Sequence, residues 1–565
     1  MFLKNITYFS FFLSLGFLYL TEINKEATIA TLIIGIFYGL QLMINRKKKT
    51  NYGRTTKSLT DSITIHKKFF VYLGYLFLII ITQNVTLNFE VISWDIPSYL
   101  VASQEINMGY LPLETQWESK GPLFFYMYNF ISNIVNNSYI LFRLANDILL
   151  LIVTIMLFNI SLTNSQNFNL SIFTGLFFIV LTSIVWYVSE YSELYSLLFI
   201  SISYRIFQIE KDRYFKFIVG LLLGLSTLIN QGTVLFLIPF LITLYLKKEN
   251  KFSNIIKLLI GFSLPHLIFL YLYFQRDLLE IYLANYIQLP LTYTQSSLSS
   301  FYELKVWIRG YYEYDGFLYA VIILTFAYFS KEIFIEFLQD KENILKRFDL
   351  ELMGLIVSLG VYFIAGHNYY HHLFYLLFFT ALFVGKVKEK ESRNIIFSLV
   401  FLSSITIFSS GFNGSFNNLS NLNETQNNYP IYQLSKEVKN FIDSDDEILA
   451  LDYILLLYYL DKPNYSYIVH PSNHYDNAVT ETLTQIGKLV PNHISIMIEE
   501  EPKVIICNPR QIINGNPQRI DDYNCAISDY KFNYEFIDTE IYRTSFNLEY
   551  YKNPYQTINL YIKND

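Results

Sequence analysis

Apolar runs long enough to approach the ~20 residues a bilayer core requires recur from the N-terminus to about residue 411, separated by short polar loops. The pattern predicts about thirteen membrane spans, some short or kinked, near 7–21, 28–45, 69–87, 138–160, 169–187, 193–208, 216–229, 233–246, 255–274, 316–330, 349–365, 372–385 and 394–411. The first run is not read as a cleaved signal peptide, because a second span follows at once and no small-residue cleavage site stands out. Composition agrees: of 565 residues, 52% are hydrophobic and only 16% charged, which excludes a soluble multidomain enzyme. The fold class expected is a polytopic α-helical membrane protein.

Lys and Arg between spans set the orientation, because short positive loops stay cytoplasmic. With the N-terminus inside, the inner loops collect Arg46 to Lys49, Arg54, Lys57, Lys67, Lys68, Lys211, Arg213, Lys216, Lys247, Lys248, Lys251 and Lys257, and later Lys346, Arg347, Lys386 and Lys388. The outer loops hold only Lys25, Lys120, Arg276, Lys305 and Arg309. An odd number of spans then puts the C-terminus outside. That tail, 412–565, carries 11 Lys/Arg against 21 Asp/Glu, a net −10, and reads as a separate water-soluble domain. It opens with a helix (432–442), an acidic turn and an apolar strand (447–452), and a second strand follows at 503–507, so a small α/β domain is expected. The whole chain is at −6, which excludes a surface-wide nucleic-acid footprint. The only cysteines, Cys507 and Cys525, both fall in this tail and could pair in an oxidising compartment.

Two outer loops are long, 88–137 and 275–315, and mix apolar, aromatic and polar residues as interfacial helices do. Polar groups near membrane depth are costly and functional by default, and most of them gather on the outer side. Asp95, in Ser93-Trp94-Asp95-Ile96-Pro97, reads either as a helix N-cap or as an interfacial carboxylate able to take a proton. Lys120 is the first long loop's single cation and reads as a solvated lysine paired with Glu118, or, together with Arg143, as a holder of phosphate. Arg143 has Asp147 one helical turn later, which offers an internal ion pair instead. Gly366 to His372 carries three histidines, with His367 and His371 on one helical face. It lacks a His-Glu-x-x-His pattern or Cys-rich spacing, so the metal signal is weak; no metal site is assigned and no cofactor is expected, with a divalent metal left open. No phosphate loop, dinucleotide fingerprint or nucleophile elbow is evident.

At these residues the chain resembles the polyprenyl-phosphate-sugar-dependent glycosyltransferases of the GT-C fold, which include protein O-mannosyltransferases and lipid A aminoarabinose transferases. Asp95, Tyr99, Gly109, Tyr110, Pro112 and then Trp117 to Leu123 follow the family's first-loop pattern, with Gly121 in place of a Pro. Arg143 matches an Arg early in the next span, and Glu193 matches a carboxylate at the outer start of a later one. Gly220 to Gly224 followed by Asn230-Gln231 is similar to a Gly-rich span ending in Lys-Gln, with Asn230 in place of Lys. Gly366 to His372 partly meets a Gly-Arg-x-x-x-His-Tyr loop, with His367 for Arg and Leu373 for the final Tyr. The resemblance covers roughly 69–411, with 1–45 as an added hairpin.

The resemblance implies a GT-C core with a C-terminal extracytoplasmic domain in a bacterial cell membrane. It also implies transfer of a sugar from a polyprenyl-phosphate donor to a glycan, lipid or protein acceptor at the outer face. Asp95 is then the base, with Glu193 as a second acidic candidate. Lys120 and Arg143 stabilise the departing phosphate, and Tyr99, Gln231, Tyr370 and His372 contact substrate. Membrane lipids are partners and nucleic acid is not. Single displacement inverts the anomeric centre. The competing classes are a transporter or flippase of lipid-linked sugars and an O-antigen polymerase or ligase. The long first loop, the outer domain and the absence of an evident repeat weigh against transport.

Overall fold

The computed structural model describes residues 57–183, 189–209, 213–246, 251–292, 350–364, 370–385, 411–507, 530–544 and 547–563. The spans expected at 7–21, 28–45 and 316–330, nearly all of 394–411, most of the loop 275–315, His367, the Tyr370 side chain and Cys525 lie outside the described residues.

Among the described residues, three helices are long and apolar enough to cross a bilayer: His66–Thr86, Tyr139–Ser165 and Phe252–Gln275. Shorter apolar helices occupy Phe168–Leu181, Tyr214–Thr227, Gln231–Leu246, Leu350–Phe363 and His371–Phe383, each on a span the hydropathy pattern predicts. The helices Arg213–Thr227 and Lys251–Gln275 pack backbone against backbone. A Cβ on Gly220 would lie 2.0 Å from the Leu258 carbonyl oxygen, and one on Gly261 would lie 2.1 Å from that of Phe217. Small residues let apolar helices approach this closely where lipid supplies no hydrophobic drive between them.

The first long loop folds into two short helices, Asp95–Gln104 and Pro122–Ile134. Between them the buried Glu105 carboxylate orders the chain by accepting the N–H groups of Leu113 (2.7 Å), Thr115 (2.8 Å) and Gln116 (3.1 Å). Those bonds order the chain immediately before Trp117 and Glu118.

The tail opens with helices at 411–420, Leu422–Asn427 and Pro430–Val438, and its described residues build a four-stranded sheet in which the strand order is β1-β2-β4-β3. β1 (Ile448–Ala450) and β2 (Val504–Cys507) are parallel, with Leu449 opposite Ile505, and the helices between them form the crossover. β4 (Asn547–Lys563) pairs antiparallel with both β2 and β3 (Tyr530–Thr544). The tail packs directly on the first loop. Trp117 and Ile468 form a parallel bridge, in which Trp117 N–H donates to Tyr467 O (2.6 Å) and Val469 N–H donates to Trp117 O (3.2 Å). Gln116 and Asn464 exchange two further bonds, of 2.9 and 3.0 Å. One buried apolar cluster runs through Phe124 and Tyr195 of the helices to Leu455 and Val504 of the tail.

Candidate active site

Asp95 is the first residue of its helix, but the helix start is Trp94, without a side-chain cap. The N-cap alternative is therefore not what the side chain does. Its Oδ2 accepts from Ser93 Oγ (3.0 Å), and its Oδ1 lies 3.0 Å from His470 Nε2. His470 Nδ1 accepts the Ser472 N–H at 3.2 Å, and a backbone N–H can only donate, so the ring proton sits on Nε2 and points at Asp95. The His470 side chain is 10% exposed and that of Asp95 is 28% exposed, which leaves the carboxylate one open face. Burial alone would raise the Asp95 carboxyl; the His470 hydrogen bond and the nearby charges of His470, His371 and Lys120 outweigh it and hold it well below the usual carboxylate range. For His470, burial works against the charged form, while Asp95 and Glu118 win and raise the imidazole above its ordinary value. A second proton at Nδ1 would have to face the Ser472 N–H, and that steric and electrostatic cost opposes the rise.

Lys120 lies above the Tyr99 ring, with Nζ 5.6 Å from its centroid, and Tyr99 is one helical turn along from Asp95. Among the described residues its ammonium has no hydrogen-bonding or ion-pair partner, so it is not held by Glu118. Its backbone is held firmly: Asn285 Nδ2 donates to Lys120 O (3.0 Å), and the next residue, Gly121, donates to Ile229 O (3.2 Å). A Cβ at Gly121 would sit 2.1 Å from Leu228 O, so the residue after Lys120 is glycine because two backbones touch there. Glu118 is buried, which raises its carboxyl despite His470 and the Ser119 N–H bond. Asn473 of the tail reaches its Oε2 at 3.5 Å.

Glu193, in the first turn of the helix Ser192–Ile209, is fully buried. Its Oε1 accepts from Asn230 Nδ2 (3.0 Å) and lies 3.8 Å from His372 Nε2. The neighbouring Gln231 keeps its Nε2 buried without a partner among the described residues. His371 stacks on Tyr191, with ring centroids 4.1 Å apart. Glu193, His371 and His372 place their ligand atoms within 4.8 Å of one another, and they are the described trio that could hold a divalent ion.

No family model and no curated protein sequence matches the chain. Solved structures do. The chain superposes on ArnT from Cupriavidus metallidurans bound to undecaprenyl phosphate with a TM-score of 0.51 at 8% identity, covering 87% of this chain and 97% of that one. The apo state of the same protein matches with a TM-score of 0.50 at 10% identity, over 89% and 98%. The chain has the GT-C fold. A weaker match, with a TM-score of 0.45 at 12% identity over 87% and 75%, is to an oligosaccharyltransferase from Archaeoglobus fulgidus.

On this GT-C scaffold Asp95, Tyr99, Lys120, Glu193 and His372 lie close enough to interact electrostatically, and Gln231 follows Asn230, the hydrogen-bond partner of Glu193. Arg143 does not offer a free cation there. Its Nε donates to Glu190 (3.2 Å), Nη1 to the Phe89 (2.7 Å) and Thr86 carbonyls, and Nη2 to Thr86 O and Oγ1, so no face of the buried guanidinium remains for a phosphate. Nor does it pair with Asp147, which is bonded to Asn84 (2.7 Å) and Ser189 (2.9 Å). Arg143 ties the start of the first loop to the span after it. Sequence reasoning missed His470: it lies 375 residues from Asp95, inside a segment with ordinary composition, and nothing local marks it.

Proposed function

We propose that this chain is a membrane glycosyltransferase that moves a sugar from a polyprenyl-phosphate donor to an acceptor at the outer face of the membrane, with inversion. The observation that carries the reading is an Asp95 carboxylate held in its ionised form with one face open, near a Lys120 ammonium that no described residue hydrogen-bonds or ion-pairs, in a GT-C fold. Undecaprenyl phosphate in the ArnT structure supports a lipid-phosphate donor.

A lipid phosphate leaves as an anion, so the step needs positive charge beside it and a base for the acceptor, and no protonating acid. The acceptor oxygen or nitrogen bonds to the anomeric carbon as its proton passes to Asp95. The bond from that carbon to the phosphate oxygen breaks with its electron pair going to the phosphate, and Lys120 neutralises the charge that develops there. A depressed Asp95 remains ionised between turnovers, and the acceptor proton becomes acidic enough to reach it only as the new bond forms. Tyr99 backs Lys120, and Glu193 with Asn230, Gln231 and His372 line the side on which sugar hydroxyls would be bonded. Supplying membranes containing the chain with a panel of radiolabelled polyprenyl-phosphate sugars tests the reading. One label should transfer to endogenous acceptor, and no transfer from any of them, with intact protein present, refutes it.

A further inference from the structure

We infer that His470, contributed by the C-terminal tail, is a positioning residue for Asp95, so that the site is complete only when the tail is docked on the first loop. The inference rests on the reading of Asp95 as the base.

Three observations carry it. The Nε2–H of His470 meets Asp95 Oδ1 at 3.0 Å, and with Ser93 on Oδ2 it fixes the carboxylate's rotamer while one face stays open. The imidazole is itself locked, because Nδ1 accepts from both the Ser472 N–H (3.2 Å) and Ser472 Oγ (2.9 Å), which forbids a ring flip. Its backbone is locked as well: His470 precedes the turn Pro471–Tyr475 and follows by two residues the Ile468 bridge to Trp117, three residues before Lys120. The tail segment that positions the base is therefore hydrogen-bonded to the loop that carries the phosphate-facing lysine. A carboxylate that must meet an acceptor within a few tenths of an ångström gains from a rigid donor on its far side.

The charged and titratable groups around the pair are Glu118 and Lys120 from the first loop, His371 on the Asp95 side, and His474 on the His470 side, with the neutral phenols of Tyr99 and Tyr191 beside Asp95. Glu118 and His474 also feel the His470 charge, so His470→Gln, which keeps an N–H without the charge, separates the hydrogen bond to Asp95 from those effects.

The test is steady-state transfer across pH by the full chain in membranes, with the radiolabelled polyprenyl-phosphate sugar whose label transfers in the panel experiment, for His470→Ala, His470→Phe and His470→Gln beside Asp95→Asn. Expected is a fall in kcat of ~10- to 100-fold for the Ala and Phe variants with donor KM nearly unchanged. The acid limb of kcat should move to higher pH, because the ionised base has lost a donor. His470→Gln, which restores an N–H near the Nε2 position, should recover most of the rate and the limb. Wild-type kcat and an unmoved acid limb in His470→Ala, with Asp95→Asn inactive, overturn the role of His470 and leave the base reading standing. Should His470→Ala fail to fold, equal rates and limbs for the Gln and Phe variants overturn the proposal in the same way. Wild-type transfer by Asp95→Asn removes the base reading and this inference with it.

Discussion

The Glu90 carboxylate accepts the backbone N–H of Ile431 at 2.7 Å, so a residue just after the first described span caps a helix of the tail. Its second oxygen takes the Tyr432 N–H at 2.8 Å, and the carboxylate is buried at the helix's positive end. Glu90→Gln keeps the shape but sets an amide NH2 against one of those donors, and should cost ~1–3 kcal/mol. Faster limited proteolysis of the tail in Glu90→Gln is the expected readout; wild-type resistance would show that the tail is held without this cap.

Asp95→Asn should still express and fold, at some cost in thermal stability because it loses the charged bond to His470, and should lower transfer by ~100-fold or more, because the amide cannot take the acceptor's proton. Asp95 titrates below the ordinary carboxylate range, so wild-type activity should persist as pH falls past that range and be lost only in stronger acid. A wild-type acid limb at or above the ordinary carboxylate value would separate the activity from Asp95.

Lys120→Ala should raise the donor KM strongly, with Lys120→Arg closer to wild type because it returns the charge without the geometry. Rates at limiting donor measure this, and equality of wild type and Lys120→Ala would make Lys120 an ordinary loop lysine.

Arg143→Ala should act on stability. It strands the buried Glu190 and leaves the Thr86 and Phe89 carbonyls without their donor, a loss of ~3–5 kcal/mol by analogy with broken buried pairs. Thermal unfolding should fall while the donor KM of the folded fraction is unchanged. A raised KM at unchanged stability would return Arg143 to the phosphate.

His474 Nδ1 and His493 Nε2 lie 3.2 Å apart in the tail; burial lowers both from the ordinary value of 6.5, and for His474 the nearby His493 and His470 add to it. The unfolded chain therefore takes up protons that the folded tail refuses. Stability is present above 6.5 and declines as pH falls from there toward the depressed folded values. Denaturation of the wild-type chain should show that decline, and His474→Asn, which cannot titrate, should show less of it.

Much of the architecture was legible in the chain. Runs such as 138–160 and 255–274 had to become helices, since a backbone in hydrocarbon must satisfy its own hydrogen bonds, and the helices Tyr139–Ser165 and Phe252–Gln275 lie there. The two tail strands at 447–452 and 503–507 were equally visible, because short apolar segments bounded by turns have few alternatives. Asp95 and Lys120 stood out because charge near membrane depth is costly. Pairing was not legible. Arg143 at i,i+4 from Asp147 suggested a local ion pair, yet its donors go to Glu190, Thr86 and Phe89, because burial obliges a guanidinium to satisfy every N–H and only folding brings enough acceptors together. For the same reason sequence spacing could not show that His470 turns its Nε2–H on Asp95 across 375 residues; that contact is fixed by the docking of Trp117 against Ile468, which exists only in three dimensions.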